Sequence, residues 1–167
     1  IRDEKLTRQE EIDYLKSEGI NMPWEKAKYS VNKGLWGTSV GGEETLTSTM
    51  PLPESAYPSQ LEKEGYQKVV LTFNKGNLVA VNGKIDDPEK CIELLNSFAT
   101  KYAIGRDIHV GDTIVGIKGR VGFEAAAALI TIKAHHLLEK HTLTKWQLQH
   151  KEYLASFYGM HLHEGQY

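Results

Sequence analysis

Histidines give this 167-residue chain its most obvious metal-binding chemistry, since it contains seven of them. Two groups stand out: His161, His163 and Glu164, and His135, His136 and His141. A zinc site needs ligands that converge tetrahedrally, and neither group has the i, i+4 spacing of a helical HExxH site. The spacing therefore favours ordinary surface or core histidines, and we expect no metal site.

A basic segment that contains glycines is a candidate for anion binding. Lys118-Gly119-Arg120-Val121-Gly122 precedes a predicted helix, and glycines, cations and a helix N-terminus together favour negative charge. Lys118 and Arg120 are therefore candidate anion contacts. The alternative is a plain basic connection between a strand and a helix. The local pattern alone favours that alternative, and both interpretations stay open.

Two serines, Ser30 and Ser39, lie in a stretch without regular periodicity. Their hydroxyl groups can donate hydrogen bonds to a carboxylate, although serines are common in loops and their spacing assigns no ligand. The glycines of 37–42 lack the GxxxxGK[ST] order of a phosphate-binding P-loop. Cys91 falls on the apolar side of a predicted helix without a partner thiol, which favours a buried packing role.

Composition excludes several classes of function. The chain has 20 Lys and Arg against 22 Asp and Glu, a net charge of −2, which removes the cationic field that non-specific nucleic-acid binding needs. No window approaches the roughly 20 apolar residues that span a bilayer. One cysteine cannot form an internal disulfide, which suits a reducing compartment. We therefore expect a cytoplasmic domain without nucleic-acid or membrane partners.

The N-terminal third of the chain combines a helix with a long irregular segment. Thr7 and Glu10 form a capping box that predicts a helix over 8–18. From 23 to 58 regular periodicity disappears, and we predict an irregular loop of the kind that lines a site or reaches a neighbouring subunit. Only two parts of it look extended, 28–31 and 36–40.

Regular structure resumes after this loop and indicates an α+β fold. Strands are predicted at 68–73, 78–81, 106–110 and 113–117, the last two around Gly111-Asp112. Helices are predicted from Asp87-Pro88 to Gly105, over 123–139, and after a cap at Thr144. Hairpin pairs mixed with helices favour a mixed, largely antiparallel sheet with helices packed against it.

The ordered set of segments resembles the argininosuccinate synthase family along nearly the whole chain. Tyr29-Ser30-Val31-Asn32 through Leu35-Trp36-Gly37-Thr38-Ser39 is similar to the family's PYSxDENLWGRS. The further segments, in chain order, are Phe73-Asn74-Lys75-Gly76, Val79-Ala80-Val81-Asn82-Gly83, Val115-Gly116-Ile117-Lys118-Gly119-Arg120 and Ala127-Ala128-Leu129-Ile130. They are similar to the family's FEKGVPVALNG, VGIKSR and AALI. No single segment is decisive, but their order and spacing are specific.

The resemblance implies that residues 1–167 are the synthetase and multimerisation domain of a two-domain ligase, without its N-terminal ATP-pyrophosphatase domain. The complete enzyme would use ATP, with Mg²⁺, to join citrulline and aspartate into argininosuccinate in arginine biosynthesis, releasing AMP and pyrophosphate. It is expected to be a homo-oligomer, a tetramer in full length. Ser30 and Ser39 correspond to the family's citrulline-binding serines. This fragment alone is expected to be inactive, and no catalytic acid or base is expected in it, because such chemistry depends on positioning and charge neutralisation.

Two positions depart from the family. Gly111 stands where the family has a citrulline-binding glutamate, and Phe123 stands where it has a citrulline-binding tyrosine. A carboxylate aimed at an α-ammonium contributes roughly 1.5–3 kcal/mol, which glycine cannot supply. Three explanations stay open: Asp112 or Glu124 takes over, the pocket accepts an N-acylated citrulline whose amine is uncharged, or activity is lost. The last corresponds to the alternative function, a non-catalytic oligomerisation or ligand-sensing domain that kept the fold.

Overall fold

Helices and antiparallel strands share the chain, which confirms the predicted α+β class. The computed structural model describes residues 6–24 and 28–166. Within these residues the helices are α1 (Arg8–Ser17), α2 (Pro88–Ala99), α3 (Ala126–Thr142) and α4 (Lys145–His163). The strands are β1 (Tyr29–Lys33), β2 (Thr38–Gly42), β3 (Leu71–Asn74), β4 (Asn77–Val81), β5 (Lys84–Ile85), β6 (Arg106–Asp112) and β7 (Lys118–Glu124).

Four strands form one sheet in the order β1-β2-β7-β6, and each neighbouring pair is antiparallel. Because successive side chains along a strand point to opposite faces, the register assigns every residue to one face. The open face carries Ser30, Asn32, Ser39, Gly41, Asp107, His109, Gly111, Gly119, Val121 and Phe123, none of which is buried. The covered face carries Tyr29, Val40, Arg106, Asp112, Lys118, Arg120, Gly122 and Glu124.

The segment 43–60 packs across the covered face of the sheet. Val40 is fully buried and clusters with Leu52, Ala56 and Tyr57. Gly122 permits this approach, because a Cβ atom there would lie 2.0 Å from Leu52 Cδ1. One side of the sheet is therefore used to build a core.

A second core lies between the sheet β3-β4-β5 and helix α2. Its buried members are Leu78, Val81 and Cys91, so the predicted packing role of Cys91 is confirmed. Asp87 occupies the N-cap of α2 and Pro88 its first position, as predicted, although the Asp87 side chain makes no capping hydrogen bond.

The hairpin of β6 and β7 differs from the prediction. Strand β6 continues through Gly111 and Asp112, and the turn lies at 113–117, where the Gly116 N–H donates to the Thr113 carbonyl. The segment 118–122, predicted as a glycine loop before a helix, lies within β7. Helix α3 accordingly begins at Ala126 instead of residue 123. Isoleucine and valine at 114–117 suggested a strand, but strand propensity describes a half-buried surface and these side chains are exposed.

The segments at the two ends of the chain follow the predicted caps. Thr7 and Glu10 form the expected capping box of α1, and Thr144 pairs with Gln147 in the same way at the start of α4. The stretch 23–58, predicted to be largely irregular, contributes β1 and β2 at the two places that looked extended.

No helix within the described residues is long and apolar enough to cross a membrane.

Candidate functional site

Ser30 and Ser39 lie on the open face, on neighbouring strands. Ser39 is opposite Asn32 on β1 and opposite Phe123 on β7. Ser30 is opposite Gly41, where a Cβ atom would lie 3.9 Å from Val121 Cγ2. Both hydroxyl groups therefore belong to one accessible surface.

The two departures from the family pattern occupy the same surface. Phe123 is half-buried, directly between Ser39 and Asp107 across the sheet. Gly111 is opposite Gly119, near the hairpin turn. A Cβ atom at Gly111 would lie 2.5 Å from His109 Nε2, so a side chain there would require the imidazole to move. All four positions that the resemblance linked to citrulline thus share the open face.

Both predicted substitute carboxylates lie on the covered face. Asp112 pairs with Lys118 at 2.6 Å, beside the hairpin turn. Glu124 is 6% exposed and accepts hydrogen bonds from Arg106 Nε, at 2.9 Å, and from the Ser59 hydroxyl. Neither carboxylate is positioned to contact a ligand on the serine side of the sheet.

The candidate anion contacts also have other partners. Lys118 is held by Asp112, and the Arg120 guanidinium donates to the carbonyl oxygens of Glu44, Thr47 and Met50. Since residues 118–122 form a strand and not a loop at a helix N-terminus, the geometry that suggested an anion site is absent there. Arg120 instead holds the segment 43–60 against the sheet.

Tyr29, the first residue of β1, is also bonded to the segment 43–60. Its hydroxyl donates to both carboxylate oxygens of Glu44, at 3.0 and 2.9 Å. Burial, followed by the hydrogen bond to Glu44, raises the pKa of Tyr29 to about 12. The phenol therefore stays protonated at physiological pH, and the residue next to Ser30 has a fixed side chain.

A cleft of about 650 Å³ lies at the end of the sheet away from the hairpin turn. Thr38, Ser59, Asn96 and Glu124 contribute to its wall, but Ser30 and Ser39 do not. The serine surface is one exposed sheet face, so a second surface is needed to enclose a small molecule there. Among residues 6–24 and 28–166, no group of three His, Cys, Asp or Glu side chains is placed to hold a metal ion.

Three polar residues of the open face were missed in the sequence: Asn32, Asp107 and His109. The predicted strand boundaries explain the omission. A strand that ends at residue 110 does not show the register in which Asp107 pairs with Phe123. Alternation through a longer β6 would have placed Asp107 and His109 on the serine side.

Comparison with known proteins identifies the family. The model "Arginosuccinate synthase C-terminal domain" matches residues 29–167. The chain belongs to the argininosuccinate synthase family. The argininosuccinate synthase of Methanocaldococcus jannaschii is 37% identical over 99% of this chain, and that of Metallosphaera sedula is 38% identical over 96%. The chain spans 42% and 41% of the lengths of these two relatives, and its membership of the argininosuccinate synthase family confirms the resemblance noted in the sequence.

Proposed function

We propose that this chain is the citrulline-binding and multimerisation part of an ATP-dependent ligase, an argininosuccinate synthase of arginine biosynthesis. The observation that carries the proposal is the register of the four-stranded sheet. It brings Ser30, Ser39, Gly111 and Phe123 to one face that no other part of the described chain buries.

The two serines supply the chemistry for one end of the substrate. A hydroxyl group donates a hydrogen bond to a carboxylate, and such charge-assisted bonds are shorter and stronger than neutral ones. Ser30 and Ser39 lie on adjacent strands, so both can donate to one α-carboxylate. In this arrangement the chain binds and orients citrulline, and contributes no acid or base.

ATP, Mg²⁺ and aspartate belong to the complete protein in this proposal. The two candidate anion contacts, Arg120 and Lys118, are engaged elsewhere, and among the described residues no group of three His, Cys, Asp or Glu side chains converges to hold a metal ion. We therefore assign nucleotide binding to a separate domain and expect the isolated chain to be inactive. The proposal includes a cytoplasmic homotetramer, supported by the single cysteine and by the exposed apolar side chains of α4.

The test is citrulline-dependent and aspartate-dependent release of pyrophosphate by the complete protein. Ser30→Ala and Ser39→Ala should each raise the KM for citrulline about tenfold, as expected for losing one hydrogen bond to a charged group. Ser55→Ala is the matched control, since Ser55 is exposed in the segment on the other side of the sheet.

Two outcomes would contradict the proposal. Wild-type protein that releases no pyrophosphate with citrulline or an N-acylcitrulline would favour the alternative of a non-catalytic domain. Activity that is unchanged in both serine variants would mean that the open face does not bind citrulline.

A further inference from the structure

The open face contains one carboxylate, although the sequence pointed to two others. The four strands of the sheet carry three acidic residues: Asp107, Asp112 and Glu124. Asp112 and Glu124 lie on the covered face, where Lys118 and Arg106 neutralise them. Asp107 lies on the serine side, next to Phe123.

We propose that Asp107 receives the α-ammonium group of citrulline and makes the site selective for the free amino acid over its N-acylated forms. This inference rests on the proposed function and names the residue that replaces the family's glutamate. In this proposal the carboxylate lies at Asp107 and not at Gly111, the position that the resemblance gives to the family's glutamate. It is therefore in the same row across the sheet as Ser39.

The spacing across the sheet fits an amino-acid head group. Ser39, Phe123 and Asp107 are directly opposite one another on three consecutive strands. Strands lie about 4.8 Å apart, so the backbones at Ser39 and Asp107 are separated by about 10 Å. A zwitterion between them can accept a hydrogen bond from the serine hydroxyl through its carboxylate and donate one to the aspartate through its ammonium group, each about 2.8 Å long.

The residue between them supports the same orientation. Phe123 is half-buried and on the same face, and an ammonium group over an aromatic ring is attracted by the negative face of the ring. A tyrosine hydroxyl is not needed for this contact. The loss of the phenol at this position and the presence of Asp107 therefore fit one binding mode.

The Asp107 carboxylate is available for such a role. It is exposed, and its Oδ1 atom accepts a hydrogen bond from the Ile108 N–H at 2.7 Å, which orients the group. Within the described residues no basic side chain forms an ion pair with it, in contrast to Asp112 and Glu124. His109 lies two residues along β6 on the same face.

The test compares Asp107→Asn with Asp112→Asn in the complete enzyme, using citrulline and N-acetylcitrulline as substrates. We expect Asp107→Asn to raise the KM for citrulline about 10- to 100-fold with kcat within about threefold, because one charge-assisted hydrogen bond is lost. The KM for N-acetylcitrulline should not rise. Asp107→Glu should recover part of the citrulline affinity, and Asp87→Asn, a change in an exposed aspartate at the start of α2, is the matched control.

Each outcome decides between the proposals. If wild-type enzyme turns over citrulline and Asp107→Asn leaves its KM unchanged, the assignment of Asp107 is wrong while the proposed function stands. If Asp112→Asn raises the KM instead, the ammonium binds at the hairpin turn. If N-acetylcitrulline is the better wild-type substrate, the selectivity is reversed and the inference fails. If neither compound is bound by calorimetry or turned over, both the function and the inference fail.

Discussion

The packing on the covered face depends on the absence of a side chain at Gly122. A Cβ atom there would lie 2.0 Å from Leu52 Cδ1 and 3.4 Å from the Val40 carbonyl oxygen, and Leu52 is itself buried. We expect Gly122→Ala to lower the free energy of unfolding by about 1–3 kcal/mol, the usual cost of overpacking. Urea unfolding of the chain is the measurement.

Gly119 provides the matched control on the same strand. A Cβ atom at Gly119 would lie 3.4 Å from Thr113 Cγ2, which is close to ordinary contact. Gly119→Ala should therefore change stability by less than about 0.5 kcal/mol. Equal losses in the two variants would show that the effect comes from the strand backbone and not from Leu52.

Tyr29 makes the free energy of unfolding of the chain depend on pH in the alkaline range. Burial and the Glu44 carboxylate raise its pKa to about 12, whereas an unfolded tyrosine ionises near pH 10. Its stabilising contribution is therefore complete below about pH 10, and is lost as the pH rises through about 12. Unfolding by urea at about pH 8 and pH 11 should show a larger loss in the wild type than in Tyr29→Phe. A loss of the same size in both proteins would contradict this role.

At the scale of elements, the segment 43–60 is held to the sheet through Ser59, which hydrogen-bonds to both members of a buried ion pair between β6 and β7. The side chains of Arg106 and Glu124 are 9% and 5% exposed, and Ser59 donates to the same carboxylate. Glu124→Gln would remove the buried counter-charge of the guanidinium and leave only the exposed Glu54 carboxylate beside it. We expect a loss of about 3–5 kcal/mol in the free energy of unfolding, typical of breaking one side of a buried pair.

Glu54 offers the control for this prediction. It also pairs with Arg106, but its side chain is 80% exposed. Glu54→Gln should cost less than about 1 kcal/mol, since exposed ion pairs contribute little. If Glu124→Gln proved as mild as Glu54→Gln, the buried pair would not be what anchors this segment.

Local signals in the sequence were sufficient for some elements and not for others. The caps at Thr7 and Thr144 were predicted correctly, because a few neighbouring residues determine each of them. The hairpin 106–124 was misplaced, because the isoleucine and valine side chains at 114–117 favour a strand locally but lie exposed in the turn. Ser30 and Ser39 were proposed from the resemblance, and their role stays a prediction. Asp107 became a candidate only when the strand bounds and register placed it on the same face.

At the scale of the whole molecule, stability is unevenly distributed. Helix α4 has no buried residue, and most of its large apolar side chains are exposed. One of its contacts with α3 is the ion pair between Lys151 Nζ and Glu139 Oε2, at 2.7 Å. By contrast, α2 buries Cys91, Leu95 and Ala99. Local opening should therefore cost less free energy in α4 than in α2.

Hydrogen exchange can measure this difference. In dilute solution of the chain, the amides of α4 should exchange faster than those of α2. Protection of α4 should increase with protein concentration if its exposed apolar side chains form the oligomer contact that we propose. Protection equal to that of α2 at every concentration would contradict the expectation that α4 is only weakly held within the monomer.

The two faces of the four-stranded sheet have a consequence for how this lineage can change. Leu52, Gly122 and the buried pair of Arg106 with Glu124 constrain only the covered side. If the open face binds ligand as we propose, substitutions at Asp107, Gly111 and Phe123 alter what it recognises without disturbing that packing. Selection can therefore modify ligand preference through single replacements while the ancestral core is retained.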